Sequence, residues 1–183
     1  MKHTGRVVNV GCLLILNVSL VFAQNKPPSF SGDYIFTDNG SKPGTGKIYF
    51  SWPYVRMDSE GGIFFITNYS TKIKYAIISD KHIYSESPAP EYALDSQAPC
   101  SKRPDITCKK IGKETVNGRK CDKWETRDKS GSTGYQWIDQ KLGFPIRAQN
   151  QNGTNMEYKN IKLEPQAASL FEIPVGYRKV KIF

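Results

Sequence analysis

The sequence is poor in the residue types on which most catalytic and metal sites depend. It has two histidines and four cysteines in 183 residues, and His82 stands in a Lys-His-Ile-Tyr run with no nucleophile motif beside it. It has no phosphate-binding loop, no dinucleotide fingerprint and no closely spaced pairs of metal ligands. We therefore predict no catalytic residue, metal, cofactor or enzyme activity, and we interpret His82 as a strand-surface histidine.

Long apolar runs are absent beyond the N-terminus. The first 23 residues combine a basic start at Lys2 and Arg6 with an apolar run over residues 12–22, which is short for a membrane span. This pattern predicts a secretory signal peptide over residues 1–23, cleaved after Ala23. We therefore expect a mature domain of residues 24–183, periplasmic or secreted, that has no membrane span.

Positive charge exceeds negative charge but is scattered along the chain. After cleavage, 24 of the 26 basic residues would remain beside all 17 acidic ones, which gives a net charge of +7. Such an excess favours anionic surfaces in a general way. The scatter is more typical of solvated strand faces, and together with the export signal it argues against nucleic acid as a partner.

Short runs of β-branched and aromatic residues alternate with turn residues about every ten positions. Examples are F-S-G-D-Y-I-F-T from residue 30, K-I-Y-F-S-W from residue 47 and T-G-Y-Q-W-I-D from residue 133. One short helical turn is indicated within residues 165–171. The rhythm predicts a mainly β barrel or sandwich of about 10–11 strands with little helix.

The clearest local signal is the Asn117-Gly118 dipeptide between two strand-like runs. Asn-Gly suits the positive φ values of a two-residue type I′ turn, which joins the strands of a hairpin and sets their register. The pairs that follow are Val116 with Arg119, Lys113 with Asp122, Lys110 with Glu125, and Ile111 with Trp124. Two of these pairs join opposite charges and one joins an aliphatic to an aromatic side chain, and pairs of both kinds stabilise a sheet.

The hairpin also constrains the three cysteines of the mature chain. In a regular hairpin Cys121 lies opposite Glu114, six residues from Cys108, which is roughly 20 Å along the strand. A disulfide needs Cα atoms within about 7 Å, so this register disfavours a bridge between Cys108 and Cys121. We predict Cys100–Cys108, with Cys100–Cys121 as the alternative, and this choice decides whether Cys121 is free.

Five stretches follow one another through the mature chain: G-K-I-Y-F-S-W-P-Y-V-R-M-D, I-G-K-E-T-V-N-G-R-K-C-D-K-W, W-I-D-Q-K-L-G-F-P-I-R, M-E-Y-K-N-I-K and L-F-E-I-P-V-G-Y. In combination they resemble the bacterial LolA/LolB/RseB lipoprotein-carrier superfamily. Within it, the chain is most similar to a branch of secreted proteins that share a domain of unknown function. The resemblance implies a single unclosed, strongly curved antiparallel β-barrel. The chain departs from the carriers at Trp52, where they have an arginine before the proline.

The resemblance also implies a function in binding. Carriers of this superfamily hold lipoprotein acyl chains in the concave face, whereas its sensors bind a partner protein and lipid-type signals. We therefore predict a monomeric, non-enzymatic protein that binds a lipid or the acyl chain of a lipoprotein. The alternative is an envelope sensor that binds a protein through its sheet edge or through residues 87–107.

The predicted ligand groove consists of aromatic and aliphatic residues on the strands. In a closed small barrel these side chains would simply fill the interior, whereas in an open one they can line a groove for acyl chains. The candidates are Tyr34, Phe36, Ile48, Phe50, Trp52, Met57, Phe65, Tyr75, Ile77, Trp137, Ile146, Met156 and Tyr158.

Overall fold

One curled, unclosed sheet of twelve strands forms the fold. The computed structural model describes residues 26–89, 100 and 103–181, so the predicted signal peptide lies outside the described residues. The mainly β, unclosed barrel is confirmed, with twelve strands where the sequence indicated 10–11. In these parts of the chain, no helix has the length and apolar character needed to cross a membrane.

Two antiparallel meanders make up the sheet, and they join where β1 pairs with β11. The strands are β1 (Phe30–Thr37), β2 (Gly44–Ser51), β3 (Tyr54–Ser59), β4 (Ile63–Asn68), β5 (Ile73–Ile78), β6 (Ile83–Pro88), β7 (Ile106–Val116), β8 (Arg119–Asp128), β9 (Thr133–Asp139), β10 (Phe144–Asn150), β11 (Asn155–Leu163) and β12 (Arg178–Lys179). Their order is β12-β6-β5-β4-β3-β2-β1-β11-β10-β9-β8-β7, and all neighbours are antiparallel except β12, which runs parallel to β6.

The hairpin of β7 and β8 forms around the predicted turn. Asn117 and Gly118 have φ angles of 49° and 74°, the positive values that a type I′ turn requires. Lys113 lies opposite Asp122, as predicted. The local sequence therefore places the turn and the pairs nearest to it.

A bulge at Ile111 changes the register farther from the turn. Beyond it, Lys110 lies opposite Trp124 and Lys109 opposite Glu125, so the predicted pairs of Lys110 with Glu125 and Ile111 with Trp124 are wrong. A bulge leaves one extra residue unpaired and shifts every later pair by one position. Ile111 is this extra residue, and its side chain is 42% exposed.

An aromatic cluster fills one side of the sheet, which we call the core face. Phe30, Phe50 and Phe144 meet with ring centroids 5.1–5.3 Å apart. The other buried members of this core cluster are Tyr34, Ile48, Val55, Val116, Cys121, Trp137, Leu142, Ile146 and Tyr158. The cluster draws on β1–β3 and β7–β11 and contains no residue of β4, β5 or β6.

Residues 164–181, here named the C-terminal strap, follow β11 and pair with the far edge of the sheet through β12. The predicted helical turn is present as a short 3₁₀ helix over Ala168–Phe171. Phe171 and Tyr177 pack against a second buried cluster, formed by Phe64, Ile66 and Ile77. These three residues point away from the core face, so the strap covers the opposite side of β4 and β5.

Cys100 and Cys108 form a disulfide with Cα atoms 5.8 Å apart, which confirms the predicted pairing. Cys121 is a free, buried thiol. Burial raises its pKa to about 11, and the negative charge of Asp139 adds to the shift. Most of the segment 87–107 that was singled out as a candidate partner site lies outside the described residues.

Candidate functional site

The core face of β3–β6 carries rows of side chains that lie opposite one another across the strands. Because paired residues of antiparallel strands point to the same face, the register assigns each row to one side. Two rows consist of Met57, Phe65, Ala76 and Ser85, and of Ile63, Ile78 and Ile83. We call their six apolar members Met57, Ile63, Phe65, Ala76, Ile78 and Ile83 the apolar patch.

The apolar patch is only partly covered. Ile63 is 37% exposed, and the other five members are half-buried. Met57 is the one member that packs against the core cluster. The strap covers the opposite face of the same strands, so among the described residues the core face of β4–β6 is the less covered side.

A polar row borders the apolar patch at one end. Thr67, Lys74 and Ser87 lie opposite one another on the core face of β4, β5 and β6. The Lys74 ammonium lies 4.4 Å from the ring centroid of Phe65, so its charge lies against the patch residue nearest to the polar row. The face therefore changes from apolar to polar along the strand direction.

Seven of the thirteen predicted groove residues are buried: Tyr34, Ile48, Phe50, Ile77, Trp137, Ile146 and Tyr158. Six of these belong to the core cluster, whereas Ile77 belongs to the cluster under the strap. Tyr75 also packs under the strap, on the side opposite to Phe65. The predicted set thus combines residues from both faces, and its contact with a ligand remains a prediction.

Met57 and Phe65 are the two predicted residues within the apolar patch. The predicted groove set did not include Ile63, Ala76, Ile78 and Ile83. The alternation of Ile63, Phe65 and Thr67 in I-F-F-I-T-N was available as a signal. It could not show which of the two faces the strap would cover.

Phe36 and Met156 belong to another part of the core face. A row runs from Phe36 through Met156 to Ala148. A cleft of about 280 Å³ opens along this row. Its volume is just below the range usual for small-molecule sites, so it is a secondary candidate.

Trp137 lies between two cations and belongs to the core cluster. The Lys123 ammonium and the Arg147 guanidinium are 5.0 and 4.8 Å from its ring centroid, and its Nε1 donates to Glu114 at 2.6 Å. Only 3% of the side chain is exposed. The hydrogen bonds from Lys123 and Trp137 hold the pKa of Glu114 below its usual value, which favours its carboxylate form.

Trp52 and Tyr69 close the end of the core beside the β2–β3 turn. Their rings stack with centroids 6.0 Å apart, and both pack against the core cluster. Burial raises the pKa of Tyr69 to about 12, so the phenol is neutral at physiological pH. We therefore interpret Trp52 and Tyr69 as side chains that pack the core and not as a proton-transfer site.

His82 occupies an exposed position beyond β5, next to the strap. Its ring centroid lies 5.2 Å from that of Tyr177, and its backbone carbonyl accepts a hydrogen bond from Arg178 at 2.9 Å. These contacts indicate that His82 helps to hold the strap against β6.

A curled, unclosed sheet with one filled end defines a half-barrel fold, and solved structures share it. An uncharacterized conserved protein from Thermus thermophilus matches with a TM-score of 0.60 and 11% identity, over 84% of this chain and 90% of that one. The MucA/MucB complex of Pseudomonas aeruginosa matches at 0.56 and 14% identity, over 79% of this chain and 55% of that one. A LolA superfamily protein from Nitrosomonas europaea gives a TM-score of 0.41 at 9% identity, over 80% of this chain and 90% of that one, a value too low to establish a shared fold.

The chain belongs to the family described as domain of unknown function DUF4412, whose profile matches residues 44–143. The predicted superfamily resemblance is confirmed at the level of fold by the structural neighbours. This chain spans about half the length of the protein it matches in the MucA/MucB complex. A comparison with curated proteins finds no match.

Proposed function

We propose that the protein is a non-enzymatic binding protein that holds the acyl chain of a lipid or lipoprotein against the apolar patch. The observation that carries the proposal is the partly exposed row of Ile63, Ile78 and Ile83 beside Phe65, on strands that give no residue to the core cluster. Contiguous exposed apolar surface on a soluble protein usually marks a binding site. Each methylene of an acyl chain buried there stabilises the complex by about 0.8 kcal/mol.

The proposal includes export of the protein. The mature form would be a single domain of residues 24–183, released by cleavage after Ala23 into the periplasm or the medium. N-terminal sequencing of the protein recovered from the periplasm tests this part. An N-terminus at Gln24 is expected, and an intact Met1 in a cytoplasmic fraction would contradict it.

Native mass spectrometry of the protein purified from a bacterial periplasm tests the ligand. We expect an additional mass that organic extraction removes and that fragmentation identifies as a lipid. The same sample is then titrated with a fluorescent acyl probe. A protein that carries no lipid and also fails to bind the probe would contradict the proposal.

Two isoleucines with similar exposure provide a matched pair of variants. Ile63 in the patch is 37% exposed and Ile111 on β7 is 42% exposed, so replacing either by asparagine should affect folding to a similar and small extent. We expect Ile63→Asn to weaken acyl-probe binding and Ile111→Asn to leave it unchanged. Equal affinities of the two variants would place the ligand elsewhere.

A second candidate function is the binding of an acidic protein segment along β7. This strand has eleven residues, pairs only with β8 within the described residues, and carries Lys109, Lys110 and Lys113. Exposed edges can pair with an added strand, and a MucA/MucB complex shares the fold. A partner that co-purifies with the protein should be lost in Lys109→Glu/Lys113→Glu but retained in Lys141→Glu, and retention by both variants would argue against the edge.

A further inference from the structure

We infer that the apolar patch selects a long-chain fatty-acid carboxylate, whose single negative charge is bound by Lys74. The inference rests on the proposed function, because it names the head group of the ligand that the patch would hold. It narrows the ligand from acyl chains in general to a singly charged, single-chain amphiphile.

The order of the side-chain rows on the core face supports this inference. Along β5 the core face presents Lys74, then Ala76, then Ile78, and successive side chains on one face are roughly 6.6 Å apart. The Cα atoms of Lys74 and Ile78 are therefore about 13 Å apart, and the row of Phe65 and Ala76 lies between them. An amphiphile lying along the strand would place its head at Lys74 and its chain over Ile78.

The distribution of charge on the strands agrees with an anionic head. Nine residues of β4–β6 point to the core face, and Lys74 is the one charged residue among them. Glu86 is the one acidic residue of β4–β6. Its side chain points to the opposite face and binds the Lys179 ammonium. Within the described residues Lys74 forms no salt bridge, so a ligand can supply its counter-ion.

The single ammonium of Lys74 matches the single negative charge of a fatty-acid carboxylate. A carboxylate at Lys74 would also lie near the exposed Ser87, which is the residue opposite Lys74 on β6. An acyl chain with a neutral head, as in a lipoprotein, would cover the ammonium without replacing its hydration. Removing water from an unpaired charge is unfavourable, so a neutral amphiphile should bind more weakly.

The test compares two probes of equal chain length, dodecanoate and dodecanol, by calorimetric titration at neutral pH. Wild-type protein should bind dodecanoate about tenfold more tightly, as expected for one partly exposed charged contact. Lys74→Met keeps an unbranched side chain over Phe65 but removes the charge, so it should abolish this preference by weakening dodecanoate binding and strengthening dodecanol binding, since no ammonium remains to lose its water. The control Lys120→Met lowers the net charge equally on β8 and should retain the preference.

The outcomes separate this inference from the proposed function. If both probes bind with equal affinity, or if Lys74→Met still prefers dodecanoate, the patch binds acyl chains and the role of Lys74 is overturned. If neither probe binds the wild-type protein, the proposed function fails and the inference fails with it. Melting temperatures of both variants confirm that each is folded.

Discussion

Arg56 fastens the C-terminal strap to the sheet, and replacing it by methionine should loosen the strap while leaving the core cluster intact. The guanidinium binds the two carboxylate oxygens of Asp58 at 2.6 and 3.1 Å and donates to the Leu170 carbonyl at 3.1 Å. It also lies 4.0 Å from the ring centroid of Phe64. Methionine retains much of the packing on that ring and loses every hydrogen bond.

The expected size follows from these contacts. Hydrogen bonds to charged groups stabilise a fold by about 1.5–3 kcal/mol each, and the Asp58 side chain is 31% exposed, so water would replace part of what is lost. We expect the Arg56→Met change to lower the free energy of unfolding by roughly 2–3 kcal/mol. For a domain of this size, that corresponds to a fall in Tm of roughly 4–12 °C.

Thermal unfolding followed by circular dichroism measures the global effect, and amide hydrogen exchange locates it. Exchange should accelerate at Arg178 and Val180, whose amides donate to the His82 and Tyr84 carbonyls at 2.9 and 2.8 Å. Lys120→Met serves as the surface control and should leave Tm unchanged. A Tm within about 1 °C of wild type, or unchanged exchange at these two amides, would refute the role assigned to Arg56.

Three further predictions concern the disulfide, a glycine and the free thiol. Replacing Cys100 and Cys108 by serine opens a loop with a sequence separation of 8 and should lower the stability measured by urea unfolding by about 2.5 kcal/mol; an unchanged midpoint would contradict this. Gly46→Ala should lower Tm, because a Cβ there would lie 2.6 Å from the Tyr34 hydroxyl oxygen and would overlap the Asp58 carbonyl oxygen. A Tm equal to that of the wild-type protein would show that residue 46 is not crowded. Since the pKa of Cys121 is raised to about 11 and thiolate is the reactive form, a thiol reagent at mildly alkaline pH should modify it only after denaturant is added.

Local chemistry explains which features were predictable. The Asn117-Gly118 turn and the Cys100–Cys108 bridge depend on residues close together in sequence, and both were predicted. The bulge at Ile111 was not, because a regular alternation of side chains contains no signal for one unpaired residue. The pairs predicted beyond it were therefore wrong, although the turn itself was right.

The candidate site was only partly predictable for a different reason. Alternation along one strand shows that Phe65 and Thr67 share a face, and that Phe64 and Ile66 share the other. It cannot show which face a distant segment will cover. The strap, about a hundred residues later in the chain, buries Phe64 and Ile66, and this contact leaves Phe65 on the accessible side.

The sequence by itself determined the elements of this protein: short strands, their turns and one disulfide. These follow from backbone preferences and side-chain alternation, which act over a few residues. The tertiary structure alone decided which apolar residues became core and which remained accessible. That choice depends on strand register, on the curl of the sheet and on the path of the strap, all of which join residues far apart in the chain.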